Sequence, residues 1–408
     1  MKILMVNKFH YIKGGSETYY FALKRLLEAK GHTVIDFSME DEQNFPCDYS
    51  AYFVKNVDYA NSRGLKEKLR AASNIIYSRE AKKKFRQLVK DTQPDLVHLH
   101  IFQHQLSPSI LDVCKEFHIP TVYTAHDLKM VCLNYKMMHH GKLCEDCRTG
   151  KLYRCAKNRC VKESFLKSCI NVAEGYVHRL RKSYDVIHTV ITPSAFYKSK
   201  MAEFGVAADR LVHIPNFLDK AAPAVNPRED KEKYYLYFGR LSEEKGVPTL
   251  IKAFEGTGLP LYIVGSGPIR EQLEKTLQDD KYSNIRLFGF LQGTELTDIV
   301  GNARAVILPS EWYENGPYSA IEALQLGRPV LGARIGGIPE LVDGNGSLFE
   351  SGDPDSLRKA VLALESLSAE EYEALQKASL ALFESSYTQT SHYPRLMEVY
   401  QRAMDANL

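Results

Sequence analysis

The chain has 408 residues, 44% of them apolar and 25% charged, which is enough for two domains that each bury a core and is the balance of a soluble globular protein. No apolar run approaches the roughly 20 residues of a membrane span, and Ile3-Leu4-Met5-Val6 is shorter than the roughly 7–15 apolar residues of a signal peptide, so the start reads as the first core strand of a cytoplasmic protein. The near-neutral total of +3 hides an asymmetry: residues 1–215 carry 34 Lys+Arg against 22 Asp+Glu, a net +12, and residues 216–408 carry 19 against 28, a net −9. A basic first half suits an anionic membrane surface, a phosphate-bearing acceptor or nucleic acid. No nucleic-acid motif accompanies it, and no nucleic-acid partner is expected.

From its start the chain alternates strand and helix, the pattern of a parallel sheet covered on both faces. Strand Ile3–Val6, helix Glu17–Lys30 and strand Thr33–Phe37 come first, and Lys13-Gly14-Gly15-Ser16 joins the first two. Glycines after a first strand let backbone approach a ligand closely, although a lone Gly-Gly is equally a plain turn. Residues 64–91 read as one basic helix with Lys82-Lys83-Lys84 at its centre, either a solvated face or a contact with a membrane or an anionic acceptor. Strand Leu96–His100, helix Ser109–Phe117 and strand Thr121–Ala125 follow, and the last runs into His126-Asp127. A residue just past the carboxyl end of a parallel strand faces the crevice where such sheets bind ligands, which singles out His126. Asp127 either orients its ring or caps the next turn.

Cys132 and then Cys144-x2-Cys147-x7-Cys155-x4-Cys160 form a cysteine-rich segment. In a reducing compartment such spacing favours metal ligation over disulfides, and a structural zinc takes four ligands in a tetrahedron. Cys144, Cys147, Cys155 and Cys160 are the expected set, with Cys132 as alternate; reduced thiols or a redox pair remain the other account. A helix at Ile170–Ser183, strand Val186–Thr192, helix Ala195–Phe204 and strand Leu211–Ile214 complete the first domain, and Pro215-Asn216 begins a linker whose exposed continuation is Ala221–Pro227.

The second domain opens with strand Tyr234–Phe238 and the loop Gly239-Arg240-Leu241-Ser242-Glu243-Glu244-Lys245-Gly246. An Arg and a Lys five residues apart after a strand-end glycine can set two cations on one diphosphate. Strand Leu261–Val264 runs into Gly265-Ser266-Gly267-Pro268, and strand Ile285–Phe288 into Gly289-Phe290-Leu291. Ala305–Leu308 is a buried-type strand ended by Pro309; the loop Ser310–Gly316 carries Glu314, and Pro317 suits the first turn of a helix. With Pro317 first, the amides of Tyr318 and Ser319 point out of the helix end, where they and the helix dipole would hold a phosphate. Glu322 lies one turn on. Two carboxylates beside a phosphate site repel it unless they accept hydrogen bonds from hydroxyls, and a nucleotide sugar has phosphates in its middle and hydroxyls at both ends. Asp353-Pro354-Asp355 reads as a helix cap, and the last helix spans roughly His392–Ala406.

The Glu314-x7-Glu322 pair, Gly327-Arg328-Pro329-Val330, Gly336-Gly337-Ile338-Pro339-Glu340 and the Gly239-to-Gly246 string together resemble the signature of retaining glycosyltransferases of family 4, in the family's order and over nearly the whole chain. A minority of that family carries a similar cysteine-bearing loop. The resemblance implies an α/β fold of two Rossmann-like domains facing across a cleft, the GT-B architecture: residues 1–215 on the acceptor side, 216–390 binding the nucleotide sugar, and 391–408 as a helix crossing back. It implies metal-independent, hexosyltransferase-type transfer from a nucleotide-diphosphate sugar to a saccharide or lipid-linked acceptor in surface polysaccharide or glycolipid assembly, with peripheral contact to the inner face of a membrane. By the same resemblance Arg240 and Lys245 neutralise the leaving diphosphate, His126 and Glu314 touch the donor sugar, Glu322 holds the ribose hydroxyls, and Gly14-Gly15 sits over the phosphates and acceptor. Gly265, Phe290, Gly316, Tyr318 and Ser319 complete the nucleotide site. A nucleotide-sugar epimerase or hydrolase of the same architecture and a non-catalytic zinc-loop scaffold are the rivals.

Overall fold

Short apolar strands buried on both faces build two large sheets, the form expected where helices cover each side. The structure, a computed structural model, describes residues 1–56, 72–221, 224–226 and 232–406. The chain divides into one unit of Met1–Ile214 with Tyr393–Leu408 and a second of Pro215–His392.

In the first unit the strands are β1 (Lys2–Val6), β2 (Thr33–Phe37), β3 (Leu96–Leu99), β4 (Thr121–Thr124), the short hairpin β5 (Met138–His139) and β6 (Lys142–Leu143), β7 (Thr189–Thr192) and β8 (Leu211–His213). Its helices are α1 (Gly15–Ala29), α2 (Arg79–Thr92), α3 (Leu111–Glu116), α4 (Arg154–Lys157), α5 (Phe165–Leu180) and α6 (Ala195–Glu203). The sheet is parallel in the order β2-β1-β3-β4-β7-β8. The chain therefore winds one way from β1 to β2 and the other way from β3 onward, and the loops leaving β1 and β3 part at a switch point.

The second unit holds β9 (Tyr235–Phe238), α7 (Val247–Phe254), β10 (Leu261–Val264), α8 (Arg270–Thr276), β11 (Ile285–Phe288), α9 (Gly293–Gly301), β12 (Ala305–Leu308), α10 (Tyr318–Gln325), β13 (Val330–Ala333), β14 (Gly346–Phe349), α11 (Pro354–Glu365) and α12 (Ala369–Ser386). Its parallel sheet runs β11-β10-β9-β12-β13-β14, the strand order of dinucleotide-binding folds, with the switch point between β9 and β12. Helix α13 (Gln389–Asp405) starts in the second unit and belongs to the first from Tyr393 on. There the Tyr400 and Tyr393 hydroxyls lie 2.7 Å from His98 Nδ1 and 2.9 Å from His32 Nε2.

The α/β class and the two Rossmann-like sheets are as expected, and four details differ. The single helix expected over 64–91 ends before Tyr77–Ser78: the Ser78 hydroxyl accepts from the Ala81 amide and caps α2, because a serine there competes for backbone; residues 64–71 lie outside the described residues. Of its central lysines, Lys82 is tied to Asp112 at 2.8 Å and Tyr77 at 2.7 Å, and Lys84 to Glu40 at 3.3 Å and the Phe53 carbonyl, so two of the three charges serve internal contacts and Lys83 alone is exposed. Helix α5 starts five residues earlier than the expected Ile170, capped by Ser164. The expected linker start is not loose: Phe217 is fully buried, Asn216 is buried, and Leu218 bridges to Thr388; of its continuation, residues 222, 223 and 227 lie outside the described residues. Asp353 is a cap, its carboxylate accepting from the Asp355 and Ser356 amides. No helix among the described residues is long and apolar enough to cross a membrane.

Candidate active site

In the second unit the loops leaving β9 and β12 meet at the switch point. Gly246 makes the meeting possible: its φ is +69°, and a Cβ there would stand 1.9 Å from the Pro309 carbonyl oxygen. The contact is laced by the Glu311 amide donating to the Glu244 carbonyl at 2.9 Å and the Thr249 hydroxyl donating to Glu311 Oε1 at 2.6 Å. The result is an ion pair between two expected site residues, Lys245 Nζ to Glu314 Oε1 at 2.6 Å. Glu314 is 5% exposed and also accepts from the Ser310 hydroxyl at 2.6 Å, while the Lys245 ammonium lies 5.3 Å from the Trp312 ring centre. Gly336, φ +58°, closes the other side of the loop, since a Cβ there would fall 2.4 Å from the Glu314 amide nitrogen; the neighbouring Gly337 amide donates to the Glu314 carbonyl at 2.8 Å.

Pro317, expected to open the helix, instead stands one residue before it. It is the extended N-cap of α10, with ψ 127°, so Tyr318 and Ser319 are the first two helical residues, and the proline ring offers them no capping oxygen. The dipole of α10 thus ends at the expected residues. The Gly316 carbonyl accepts from Asn216 Nδ2 at 2.9 Å. Glu322 is half-buried, and burial pushes its carboxyl up to about 7. Arg240 is exposed on the loop after β9, its carbonyl held by the Tyr237 hydroxyl at 2.8 Å. The glycine turns interlock: the Gly239 amide donates to the Val264 carbonyl and the Gly265 amide to the Gly289 carbonyl, both at 3.0 Å. A Cβ on Gly265 would collide with the Gly239 carbonyl oxygen at 1.9 Å. Phe290, next along, is 70% exposed.

In the first unit His126 stands at the end of β4, its Nε2 3.0 Å from His100 Nδ1 and its ring in edge contact with Tyr19. Burial pushes its imidazole down to about 3, so it is neutral. Asp127 caps the next turn, accepting from the Lys129 amide at 2.9 Å. Gly14 is the extended N-cap of α1 and Gly15 its first residue; a Cβ on Gly14 would meet only Glu17 Oε2, at 3.9 Å. Two residues not singled out in the sequence line this switch point. Lys8 is pushed down to about 8, first by burial and next by Lys13. Glu17, 2% exposed, is pushed up by burial and accepts from Ser16 at 3.0 Å and Asn7 at 3.4 Å. Their signal was position alone: they flank the first strand-to-helix loop, where polar residues seldom have to be buried.

The cysteines Cys132, Cys144, Cys147, Cys155 and Cys160 converge on one cavity of about 20 Å³, closed by Leu133, Met137 and Phe204. All are free thiols, and Cys147 is pushed up to about 12, first by burial and then by Cys132, Cys160 and Cys144. Among the described residues, the donor atoms here that all lie within 4.8 Å of one another are those of His139, Cys144 and Asp146, and the His139 Nδ1 is buried without a hydrogen-bond partner.

Comparison with known proteins places this geometry in context. A family model described as Glycosyltransferase Family 4 matches residues 13–222, and one described as Glycosyl transferases group 1 matches residues 219–380. An uncharacterized glycosyltransferase of Methanocaldococcus jannaschii is 34% identical over 136 residues, 32% of this chain and 35% of its own length, so that match spans about a third of the relative. An uncharacterized 42.6 kDa protein in the cps region of Klebsiella pneumoniae is 24% identical over 84% of this chain and 87% of its own. An amylovoran biosynthesis glycosyltransferase of Erwinia amylovora is 29% identical over 41% of this chain and 44% of its own. Among solved structures, sucrose-phosphate synthase of Thermosynechococcus elongatus superposes with a TM-score of 0.72 at 18% identity over 99% of each chain. An Anabaena protein, HepE, in complex with UDP superposes with a TM-score of 0.65 at 16% identity over 98% of this chain and 100% of its own.

Proposed function

Since this chain belongs to glycosyltransferase family 4 and has the GT-B class of fold, we propose that it moves a sugar from a nucleotide-diphosphate sugar to an acceptor hydroxyl with retention of anomeric configuration. The observation that carries the reading is the Lys245–Glu314 pair at the β9/β12 switch point, beside the start of α10 and the half-buried Glu322. A cation and a helix end for phosphate, with one carboxylate on either side for hydroxyls, match the order of groups along a nucleotide sugar. In this reading the second unit holds the donor. Arg240, Lys245 and the amides of Gly316, Tyr318 and Ser319 stabilise the charge that grows on the diphosphate as the sugar bond loosens. Glu322 accepts from the ribose hydroxyls, the Gly265 and Phe290 loops meet the base, and Glu314, released from Lys245 by the phosphate, accepts from the donor sugar.

The family resemblance adds His126 as a contact to the sugar and the Gly14-Gly15 loop as a contact to phosphates and acceptor. The leaving phosphate takes the acceptor's proton on the same face, so the step needs no protein nucleophile, and the two cations do the neutralising that a metal does in other transferases. Relatives named for amylovoran biosynthesis and for a cps region support assembly of a surface polysaccharide or glycolipid. The Anabaena relative's UDP makes uridine nucleotides the first donors to try. We also propose that the cysteines lining this cavity hold one structural zinc through Cys144, Cys147, Cys155 and Cys160, whose sulfurs would have to draw closer together than they stand here.

The test incubates a panel of nucleotide sugars with saccharide and lipid-linked acceptors and reads the product's anomeric configuration by NMR. A retained configuration is expected. Inversion, or donor breakdown at the same rate without any acceptor, would sink the reading.

A further inference from the structure

Three histidine rings form a column at the carboxyl ends of β3 and β4. His98 stacks on His100 with ring centres 4.3 Å apart and planes at 29°, and His100 stacks on His126 at 5.3 Å and 22°. His98 is held at both nitrogens, 2.7 Å from the Tyr400 hydroxyl and 2.8 Å from the Thr124 hydroxyl. Tyr19 and Tyr20 close on His100 with ring centres at 5.8 and 5.2 Å. The His100 ring, fully buried, therefore has no room to turn over.

The 3.0 Å contact between His100 Nδ1 and His126 Nε2 is a hydrogen bond only when one nitrogen carries a proton and the other does not. Burial keeps both rings neutral, which leaves two arrangements. If His126 donates, the single proton of His100 sits on its Nε2, and that atom is buried with no hydrogen-bond partner. An N–H stranded in the core is rarer than an acceptor left unused. If His100 donates from Nδ1, its stranded Nε2 is only a bare acceptor.

We infer that His100 is a positioning residue that donates from Nδ1 and thereby fixes His126 as the tautomer with its proton on Nδ1. His126 is then a neutral ring whose one N–H is on Nδ1, chemistry suited to an oxygen acceptor such as a sugar hydroxyl; that consequence rests on the transferase reading, whereas the tautomer does not.

The tautomer is read directly by 15N NMR of histidine-labelled protein without substrate, with His126→Gln assigning the signal. The wild-type chain is expected to show a protonated Nδ1 and a bare Nε2 at His126. A proton on His126 Nε2 overturns the inference. In His100→Asn the amide nitrogen stands where Nδ1 stood and can donate, so the tautomer and most of kcat are expected to survive. In His100→Leu the donor is gone, the tautomers should mix, and kcat should fall on the order of ten- to a hundredfold, as loss of an orienting partner does at other sites, with donor KM little changed. Should His100→Leu keep both the tautomer and kcat, or His100→Asn lose them as fully as His100→Leu, His100 is only a packing residue and the inference is wrong. If His100→Leu does not fold, the wild-type and His100→Asn spectra still decide. Because the spectrum needs no nucleotide sugar, it stands or falls apart from the transferase reading.

Discussion

The Lys245–Glu314 bond changes what single substitutions should do. Glu314 is the more buried partner, so Lys245→Ala leaves a carboxylate in the core with only the Ser310 hydroxyl, a loss of about 1–3 kcal/mol in stability on top of a kcat loss of ~10²–10³ for a charge that acts in the transition state. Glu314→Gln frees the lysine for phosphate, and affinity for sugar-free nucleoside diphosphate, measured by calorimetry, should hold or rise while kcat falls. If Glu314→Gln loses that affinity as severely as Glu322→Gln, the roles of the two carboxylates are wrong. Glu322 also sets a pH dependence. Its carboxyl is raised by burial to about 7, so its contribution to stability is fully present below the ordinary glutamate range and is lost as pH rises through about 7. Ribose hydroxyls favour the ionised form, so binding should expel a proton below that pH, and nucleoside diphosphate affinity should drop about tenfold per unit below 7. Titrations in buffers of different ionisation enthalpy read the proton, and Glu322→Gln should remove the dependence; an unchanged profile in that variant would refute the assignment. Both carboxylates and both cations were legible in the sequence because spacing from strand ends marks them. The bond between Lys245 and Glu314 was not, since it joins loops 69 residues apart, and neither was Lys8 or Glu17, whose burial depends on how the first switch point closes.

At the scale of elements, the strands were readable because apolar runs of four or five residues bounded by glycine or proline have few other uses, while helix ends shifted wherever a serine cap or a proline competed, as at Ser78 and Pro317. The loops depend on glycine for a reason the strands do not share. Gly246→Ala puts a methyl against the Pro309 carbonyl in a left-handed backbone. That costs about 1–3 kcal/mol in conformation alone, and it should part the β9 and β12 loops. The variant should therefore lose nucleotide affinity as well as melting temperature, whereas Gly344→Ala, at φ +69° with nothing within 4 Å, should lose stability only. Equal nucleotide affinity in Gly246→Ala and wild type would count against the switch point as the donor site. The cysteine loop makes a second element-level prediction: protein purified without added metal should carry one equivalent of zinc, and Cys144→Ser should lower it. Less than a tenth of an equivalent, with all five thiols open to titration, would end that assignment.

For the whole molecule, the donor is assigned to the second unit, so a nucleotide panel followed by thermal shift is the direct survey. At 100 times its dissociation constant a ligand adds roughly 2.7 kcal/mol to the unit that binds it, and a nucleotide sugar that shifts wild type but not Arg240→Ala identifies the donor; no shift with any nucleotide would argue against a donor site. Strand order was beyond the reach of the sequence, because alternating strands and helices are compatible with both sheets seen here, and only the contacts separate β2-β1-β3 from β11-β10-β9. The same holds for α13, whose residues from Tyr393 on complete the first unit. That arrangement has a consequence for how the protein is made. The first unit leaves the ribosome first, yet Tyr400, the partner of His98, is translated only after all of Pro215–His392, a delay of about ten to forty seconds at ordinary elongation rates. Through that interval the nascent first unit has an unfilled groove over its histidine column, so the half of the molecule that begins folding earliest is the last to finish.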